Sequence, residues 1–118
     1  MEIEEQKIKE KMLSDDSLDK VSSFFSLFAD KTRLTLINLL SENELCVNDI
    51  AKVMNMSQTR VSHQLAVLRQ HDIVKYYRNG KQIFYTLTDN HIKDIFRTGL
   101  EHVSENDELV YSDKKKIQ

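Results

Sequence analysis

The sequence predicts a mainly α-helical fold with one small β-hairpin. The 118 residues include no proline and only two glycines, which favours helices. Apolar residues recur at helical spacing along most of the chain, whereas two strand-like runs surround Asn79-Gly80. A chain of this length predicts a single domain.

The first half of the chain contains a polar arm and two predicted helices. Residues 1–16 are polar and predict a flexible arm that precedes the folded domain. Apolar side chains at helical spacing predict a first helix over residues 18–28. Asp30 is placed to cap a second helix over residues 31–40. We expect that helix to end in the polar stretch 41–44.

The next two helices are predicted to form a helix-turn-helix. Residues 47–54 carry apolar side chains at i, i+3, i+4 and i+7. Asn55 can adopt the left-handed conformation that ends a helix. Ser57 can cap the following helix, whose buried stripe would be Val61, Leu65 and Leu68. Helices joined by about three residues are typical of this motif.

A β-hairpin and a last helix complete the domain. Residues 73–87 hold two strand-like runs around Asn79-Gly80, which predicts a type I′ turn. A hairpin directly after a helix-turn-helix is a wing, so the predicted fold is a winged helix-turn-helix. A last helix follows over about residues 89–105, with an apolar stripe of Ile92, Ile95, Phe96 and Val103. The domain therefore spans 17–105, and 106–118 form a mobile tail.

Composition and charge limit the function classes. The net charge is −2, but residues 57–82 carry five Lys and Arg residues against one acid. This basic surface is compatible with DNA binding, although an ordinary solvated face has the same composition. No apolar run approaches the roughly 18 residues of a membrane span, and no signal peptide is visible. A single cysteine fits a reducing cytoplasm.

The second helix of the predicted motif carries side chains that can recognise DNA bases. Gln side chains can pair with adenine, Arg with guanine, and Ser or Thr with phosphate or base edges. Arg78 and Lys81 flank the hairpin tip and could reach the DNA backbone or minor groove. The alternative is a winged fold used for protein contact. The candidate DNA-binding residues are Ser57, Gln58, Thr59, Arg60, Ser62, His63, Gln64, Arg78 and Lys81.

Four metal-ligand side chains lie along the last helix in two pairs. Asp89 and His91 stand at its start, and His102 and Glu105 stand at its end. The histidines are eleven positions apart, so on a helix they lie about 16 Å apart along the axis and about 20° apart around it. The two pairs therefore share one edge of the helix but cannot hold one ion within one chain.

A second copy of the helix, running antiparallel, would solve this problem. Asp89 and His91 of one chain would face His102 and Glu105 of the other, and the twofold axis would create two equivalent sites. The metal hypothesis therefore includes a homodimer with the apolar stripe at its interface. The alternative is that these residues are solvated charges and histidines packed at an interface.

These stretches together resemble the ArsR/SmtB family of metal-sensing winged-helix repressors, from about residue 18 to 105. The resemblance is carried by FADKTRLTLINLL, ELCVNDIA, MSQTRVSHQLAVLRQHDIV, RNGKQIFYTL and DNHIKDIFRTGLEH. The family pattern on the last helix is Asp-x-His, ten residues, then His-x-x-Glu or His-x-x-His. The resemblance implies a repressor that binds double-stranded operator DNA as a metal-free homodimer. Zn²⁺ on the last helix would release it, with Co²⁺ or Ni²⁺ as the other candidates.

A second metal site of the family is predicted to be lost or weak here. Some relatives have two cysteines in the ELCVCD motif, but Asn48 stands in the place of the second. Cys46 remains, with Asp49 three residues later, yet residues 1–40 hold no Cys or His to complete a site.

The sequence leaves two other functions open. Cys46 could act as a redox switch in a repressor, or the chain could be a zinc-binding adaptor that does not bind DNA. An enzyme is not expected, since four protein ligands leave zinc no open position for water.

Overall fold

The computed structural model describes residues 2–105, and it contains six α-helices, one short 3₁₀ helix and one hairpin in that range. The predicted mainly α-helical class with a small hairpin is confirmed. None of the helices described is long and apolar enough to cross a membrane. The helices are α1 (Glu5–Glu10), α2 (Asp15–Ser26), α3 (Lys31–Glu42), α4 (Val47–Met54), α5 (Gln58–Gln70) and α6 (Asn90–Ser104), and the strands are β1 (Val74–Asn79) and β2 (Gln82–Leu87). The predicted tail lies outside the described residues.

The first half of the fold differs from the sequence prediction in its boundaries. Helix α1 lies within the predicted arm and buries no residue. Helix α2 begins at Asp15, two residues before the predicted domain boundary, and it is followed by a short 3₁₀ turn at Leu27–Ala29. Asp30 caps α3 as predicted, because its Oδ1 accepts a 3.0 Å hydrogen bond from the backbone N–H of Arg33.

Helix α3 is longer than predicted and continues through Glu42. The polar side chains of residues 41–44 were expected to break it, but two of them bond back to the helix. Ser41 Oγ donates to the carbonyl of Asn38, and Asn43 Nδ2 donates to the carbonyl of Leu39. The helix ends only at Asn43, whose backbone is extended.

One hydrophobic core holds the helix-turn-helix against the other elements. The predicted stripe of α5 is fully buried, and it packs with residues from α3, α4, β1 and α6. Burying one aliphatic side chain in this core stabilises the fold by about 1.5–3 kcal/mol relative to leaving it exposed to water. The largest fully buried side chains are Leu36, Ile37, Ile50, Val61, Leu65, Leu68, Ile73, Val74 and Ile92.

The turn between α4 and α5 has the predicted geometry. Asn55 adopts a left-handed conformation with φ 52° and ψ 50°, and the N–H of Met56 bonds to the carbonyl of Ala51 at 3.0 Å. Ser57 Oγ accepts a 3.1 Å hydrogen bond from the N–H of Arg60 and caps α5. The orientation of α5 is therefore fixed at its first turn.

The end of α5 is a left-handed cap that the sequence did not indicate. Asp72 has φ 60°, its N–H bonds to the carbonyl of Arg69 at 3.1 Å, and the N–H of Ile73 bonds to the carbonyl of Leu68 at 2.9 Å. This pair of bonds is a Schellman motif, in which glycine is the usual left-handed residue. An aspartate there carries backbone strain, and its negative charge opposes the helix dipole.

Replacing Asp72 with glycine is expected to stabilise the metal-free protein by about 0.5–1 kcal/mol. The reason is that relief of left-handed strain, about 1–2 kcal/mol, exceeds the entropy that glycine adds to the unfolded chain, about 0.4–1 kcal/mol. Urea unfolding followed by circular dichroism at one protomer concentration measures the change. As a control, Asp19→Gly in the right-handed interior of α2 should lower stability; a less stable Asp72→Gly variant would contradict the expectation.

The hairpin turn lies one residue later than predicted. Asn79 pairs with Gln82, so the two-residue turn is Gly80-Lys81 and Asn79 belongs to β1. Gly80 has φ +67°, whereas Lys81 is not among the residues with positive φ. A positive φ at the first turn position alone is typical of a type II′ turn rather than the predicted type I′.

Candidate metal and nucleic-acid sites

The first predicted ligand pair is assembled at the start of α6. Asp89 caps the helix, and its Oδ1 accepts a 3.1 Å hydrogen bond from the backbone N–H of His91. The same oxygen lies 2.8 Å from His91 Nδ1. The side chains of His91 and Asp89 are 71% and 45% exposed, so solvent reaches both of them.

The second predicted pair stands at the opposite end of the same helix. His102 is in the last turn of α6, and the N–H of Glu105 bonds to its carbonyl at 3.4 Å. Both residues are exposed. Because α6 is continuous from Asn90 to Ser104, the rise of a helix places the two pairs about 16 Å apart.

Within residues 2–105 of one chain, no three His, Cys, Asp or Glu side chains come together in a way that could hold a metal. The structure thus brings Asp89 to His91 but leaves His102 and Glu105 apart from them. Two imidazoles and two carboxylates are nevertheless a donor set that tetrahedral zinc accepts. The chemistry fits the ion, but one chain does not bring the four side chains together.

An open apolar groove of about 430 Å³ runs beside the ligand edge, between α2 and α6. Two of its side chains, Phe25 and Val103, are 51% and 58% exposed. Exposed apolar surface of this kind is a candidate interaction site. The groove is lined by Phe25, Phe28, Leu34, Ile95, Phe96, Gly99, Leu100 and Val103.

The predicted DNA-reading residues lie on the outer side of α5. Most of them are exposed and cluster in its first two turns, while Val61 and Leu65 between them are fully buried. The exposed members are Ser57, Gln58, Thr59, Arg60, Ser62 and His63. The buried residues hold α5 in place, and its polar side chains face the solvent.

Two of the predicted readers already have protein partners. Gln58 Nε2 donates a 3.0 Å hydrogen bond to Asn48 Oδ1 on α4. Gln64 is only partly exposed, and its Oε1 accepts a 3.2 Å hydrogen bond from Arg33 Nε on α3. Gln64 therefore has one of its two base-pairing groups occupied, and its role at DNA stays a prediction.

The wing is anchored to the body of the domain while its tip is exposed. Leu45 and Tyr85 exchange two backbone hydrogen bonds of 3.2 and 2.8 Å. The hydroxyl of Tyr77 donates to the carboxylate of Glu44, and this bond raises the pKa of Tyr77 above its ordinary value. Arg78 and Lys81 are both exposed, near and within the turn. They remain free to approach a phosphate backbone.

Thr88 connects the ligand end of α6 to the end of α5. It is adjacent to Asp89, and its Oγ1 donates to the carbonyls of Asp72 and Ile73 at 2.8 and 3.3 Å. Its N–H also donates to Ile73 at 3.0 Å. Nothing in the sequence pattern indicated this link, since the partners are 15 and 16 residues away.

Cys46 is buried, with 7% of its surface exposed, at the start of α4. Asn48, in the position of the second family cysteine, bonds to Gln58, and Asp49 is exposed. The loss or weakening of this second site stays a prediction.

Comparison with known proteins identifies the family. The model of the arsR family of bacterial regulatory proteins matches residues 30–76. A protein named transcriptional repressor SmtB homolog, from Synechocystis, is 40% identical over 85% of this chain and 76% of that protein. The chain belongs to the ArsR/SmtB family. The predicted resemblance is thus confirmed, and the helix-turn-helix of α4 and α5 lies within the matched family region.

Two further proteins are similar in sequence or fold. NmtR of Mycobacterium tuberculosis is 34% identical over 86% of this chain and 84% of its own length. The solution structure of apo-NmtR matches with a TM-score of 0.72 at 30% identity, covering 86% of this chain and 85% of that one. A homodimeric winged helix-turn-helix DNA-binding domain from Mycobacterium bovis matches with a TM-score of 0.73 at 25% identity, covering 85% and 95%. The winged fold is confirmed, and these relatives are regulators, not enzymes.

Proposed function

We propose that this ArsR/SmtB protein is a cytoplasmic repressor that binds operator DNA as a metal-free homodimer and is released by Zn²⁺ on α6. The observation that carries the proposal is the placement of four suitable ligands at the two ends of one helix edge. Asp89 and His91 form a pair at 2.8 Å, while His102 and Glu105 stand three turns away. Ligand pairs this far apart can bind an ion with four ligands only if another chain supplies the second pair.

The groove between α2 and α6 is the surface that a second copy would cover. Its open apolar side chains lie on the helix that carries the ligands. Antiparallel pairing of two α6 helices would bring Asp89 and His91 of one protomer to His102 and Glu105 of its partner. A twofold axis repeats every contact, so the dimer would hold two zinc sites.

The DNA-facing half of the proposal follows from the exposed turns of α5. In a twofold dimer the two α5 helices would enter successive major grooves of a palindromic operator. Gln58 and Arg60 have the side chains that read adenine and guanine, and the wing residues Arg78 and Lys81 would contact phosphates.

Zinc and DNA would then act against each other through the relative placement of the two protomers. Zinc joins ligands from both chains, so it favours one arrangement of the α6 helices. By linkage, zinc lowers DNA affinity by the same factor by which DNA lowers zinc affinity. Protonated histidines cannot ligate, so the response should weaken at acid pH.

Replacing Thr88 with valine is expected to weaken the coupling between zinc and DNA. The change removes the hydroxyl bonds to Asp72 and Ile73 but keeps side-chain shape and the backbone bond. The factor by which zinc lowers operator affinity should then be several-fold smaller than in the wild type. This corresponds to a loss of about 1 kcal/mol of coupling free energy. Fluorescence anisotropy of a labelled operator with and without zinc measures it. Thr86→Val on β2 is the control. If zinc and DNA are coupled equally in the two variants, the Thr88 hydroxyl bonds do not carry the coupling.

The proposal as a whole is tested by one titration. Duplexes are first selected from a random library with the metal-free protein, and zinc is then added to the complex. We expect DNA release that a chelator reverses, with cobalt and nickel compared at the same concentrations. Release should persist in Cys46→Ser, which separates metal sensing from a redox switch. Failure to select any duplex would favour the zinc-binding adaptor instead.

A further inference from the structure

A single hydrogen bond joins the starts of the two helices of the helix-turn-helix. Asn48 lies in the first turn of α4, and Gln58 is the first residue of α5. Gln58 Nε2 donates to Asn48 Oδ1 at 3.0 Å, and both residues are exposed. The bond therefore lies on the outer surface of the motif and adds nothing to its core.

The atoms that this bond leaves free are those that recognise adenine. A glutamine amide reads adenine by donating one N–H to N7 and accepting from the N6 amino group. The Nε2 group of Gln58 has two hydrogens, and only one points to Asn48. Among the described residues the other N–H and Oε1 have no hydrogen-bond partner, so the bond restrains the amide and leaves one donor and the acceptor for a base. Gln64 differs, because its Oε1 already accepts from Arg33.

We propose that Asn48 is a positioning residue that orients Gln58 to read an A·T base pair. This inference rests on the proposed DNA-reading role of α5. An unrestrained glutamine would have to lose its side-chain freedom at the moment of binding. With Asn48 in place, that ordering occurs before DNA arrives, so Asn48 contributes to specificity without contacting a base itself.

The test compares wild type, Asn48→Ala, Gln58→Ala and the double variant. Each is titrated against a duplex selected with the wild type, against duplexes with A·T pairs changed one at a time to G·C, and against a random duplex. Asn48→Ala should weaken binding to the selected duplex by about three- to tenfold. Binding to the random duplex should not change. In the Gln58→Ala background, Asn48→Ala should have no further effect on the selected duplex.

Two further variants separate positioning from a structural role. Asn48→Asp keeps the acceptor for Gln58 but adds a negative charge. It should therefore weaken binding to all duplexes alike while preserving the preference for A·T. Asn43→Ala is the matched control, since it removes one hydrogen bond of an exposed asparagine that lies outside the motif, at the end of α3. It should leave both affinity and preference unchanged.

The outcomes distinguish this inference from the proposed function. If the wild type binds no selected duplex, the DNA-reading role itself fails. If Gln58→Ala relaxes one A·T position and Asn48→Ala has no effect there, only the positioning role is overturned. It is also overturned if Asn48→Ala weakens selected and random duplexes equally, because Asn48 would then act on the phosphate backbone.

Discussion

Replacing His102 with alanine is expected to leave DNA binding by the metal-free protein intact and to abolish its release by zinc. The side chain is exposed at the end of α6, so its loss should not disturb the core. Without it each proposed site keeps one nitrogen and two carboxylates. The full coupling of about 1–3 kcal/mol, a 5- to 150-fold effect of zinc on operator affinity, should disappear.

The control for this variant is His71→Ala. His71 is also an exposed histidine at a helix end, but it lies at the end of α5 and outside the ligand pattern. Anisotropy titrations of a labelled operator with zinc should show normal release for this control. Release of the His102→Ala protein at the wild-type zinc concentration would disprove the assigned switch.

Replacing Phe25 with glutamate is expected to separate the dimer and to remove both activities. Phe25 lines the groove and is half-exposed in a protomer, so the fold should tolerate the change. A charge at a dry interface would have no partner, which opposes association. A monomer would contact one half-site only, and operator affinity should fall by about 100-fold or more as the second contact is lost. No shared zinc site could form.

Sedimentation equilibrium provides the measurement for this variant. Val53→Glu is the matched control, since Val53 is 66% exposed but lies on α4, outside the groove. The control should remain dimeric. A dimeric Phe25→Glu protein with normal zinc binding would show that the groove between α2 and α6 is not the interface.

Local signals in the sequence were sufficient to predict most of the fold. Asp30 and Ser57 are caps whose side chains bond to the first turn of their own helices, and Asn55 ends a helix by its own backbone conformation. Each of these features depends on residues within about four positions. The helical spacing of Val61 and Leu65 likewise indicated the buried face of α5.

Features that depend on distant partners were not predictable. The turn register depends on how β1 pairs with β2, so Asn79-Gly80 was placed one residue early. The bonds from Thr88 to Asp72 and from Asn48 to Gln58 join different elements, and no spacing in the sequence indicates them.

The candidate metal site divides in the same way. The contact between Asp89 and His91 is local, because both residues lie at the start of the helix, where the sequence places them. The participation of His102 and Glu105 depends on a second chain and stays a prediction.

The most direct test of the shared site mixes two inactive proteins. His91→Ala and His102→Ala each remove one ligand from both sites of their own homodimer. A heterodimer of the two would combine the intact Asp89 and His91 of one chain with the intact His102 and Glu105 of the other, which gives one complete site.

After subunit exchange by unfolding and refolding, zinc binding is measured by competition with a chelating dye. The account predicts that the mixture regains high-affinity zinc binding that neither variant shows alone, at one ion per heterodimer. A mixture that binds no more zinc than the separate variants would contradict a site built from two chains.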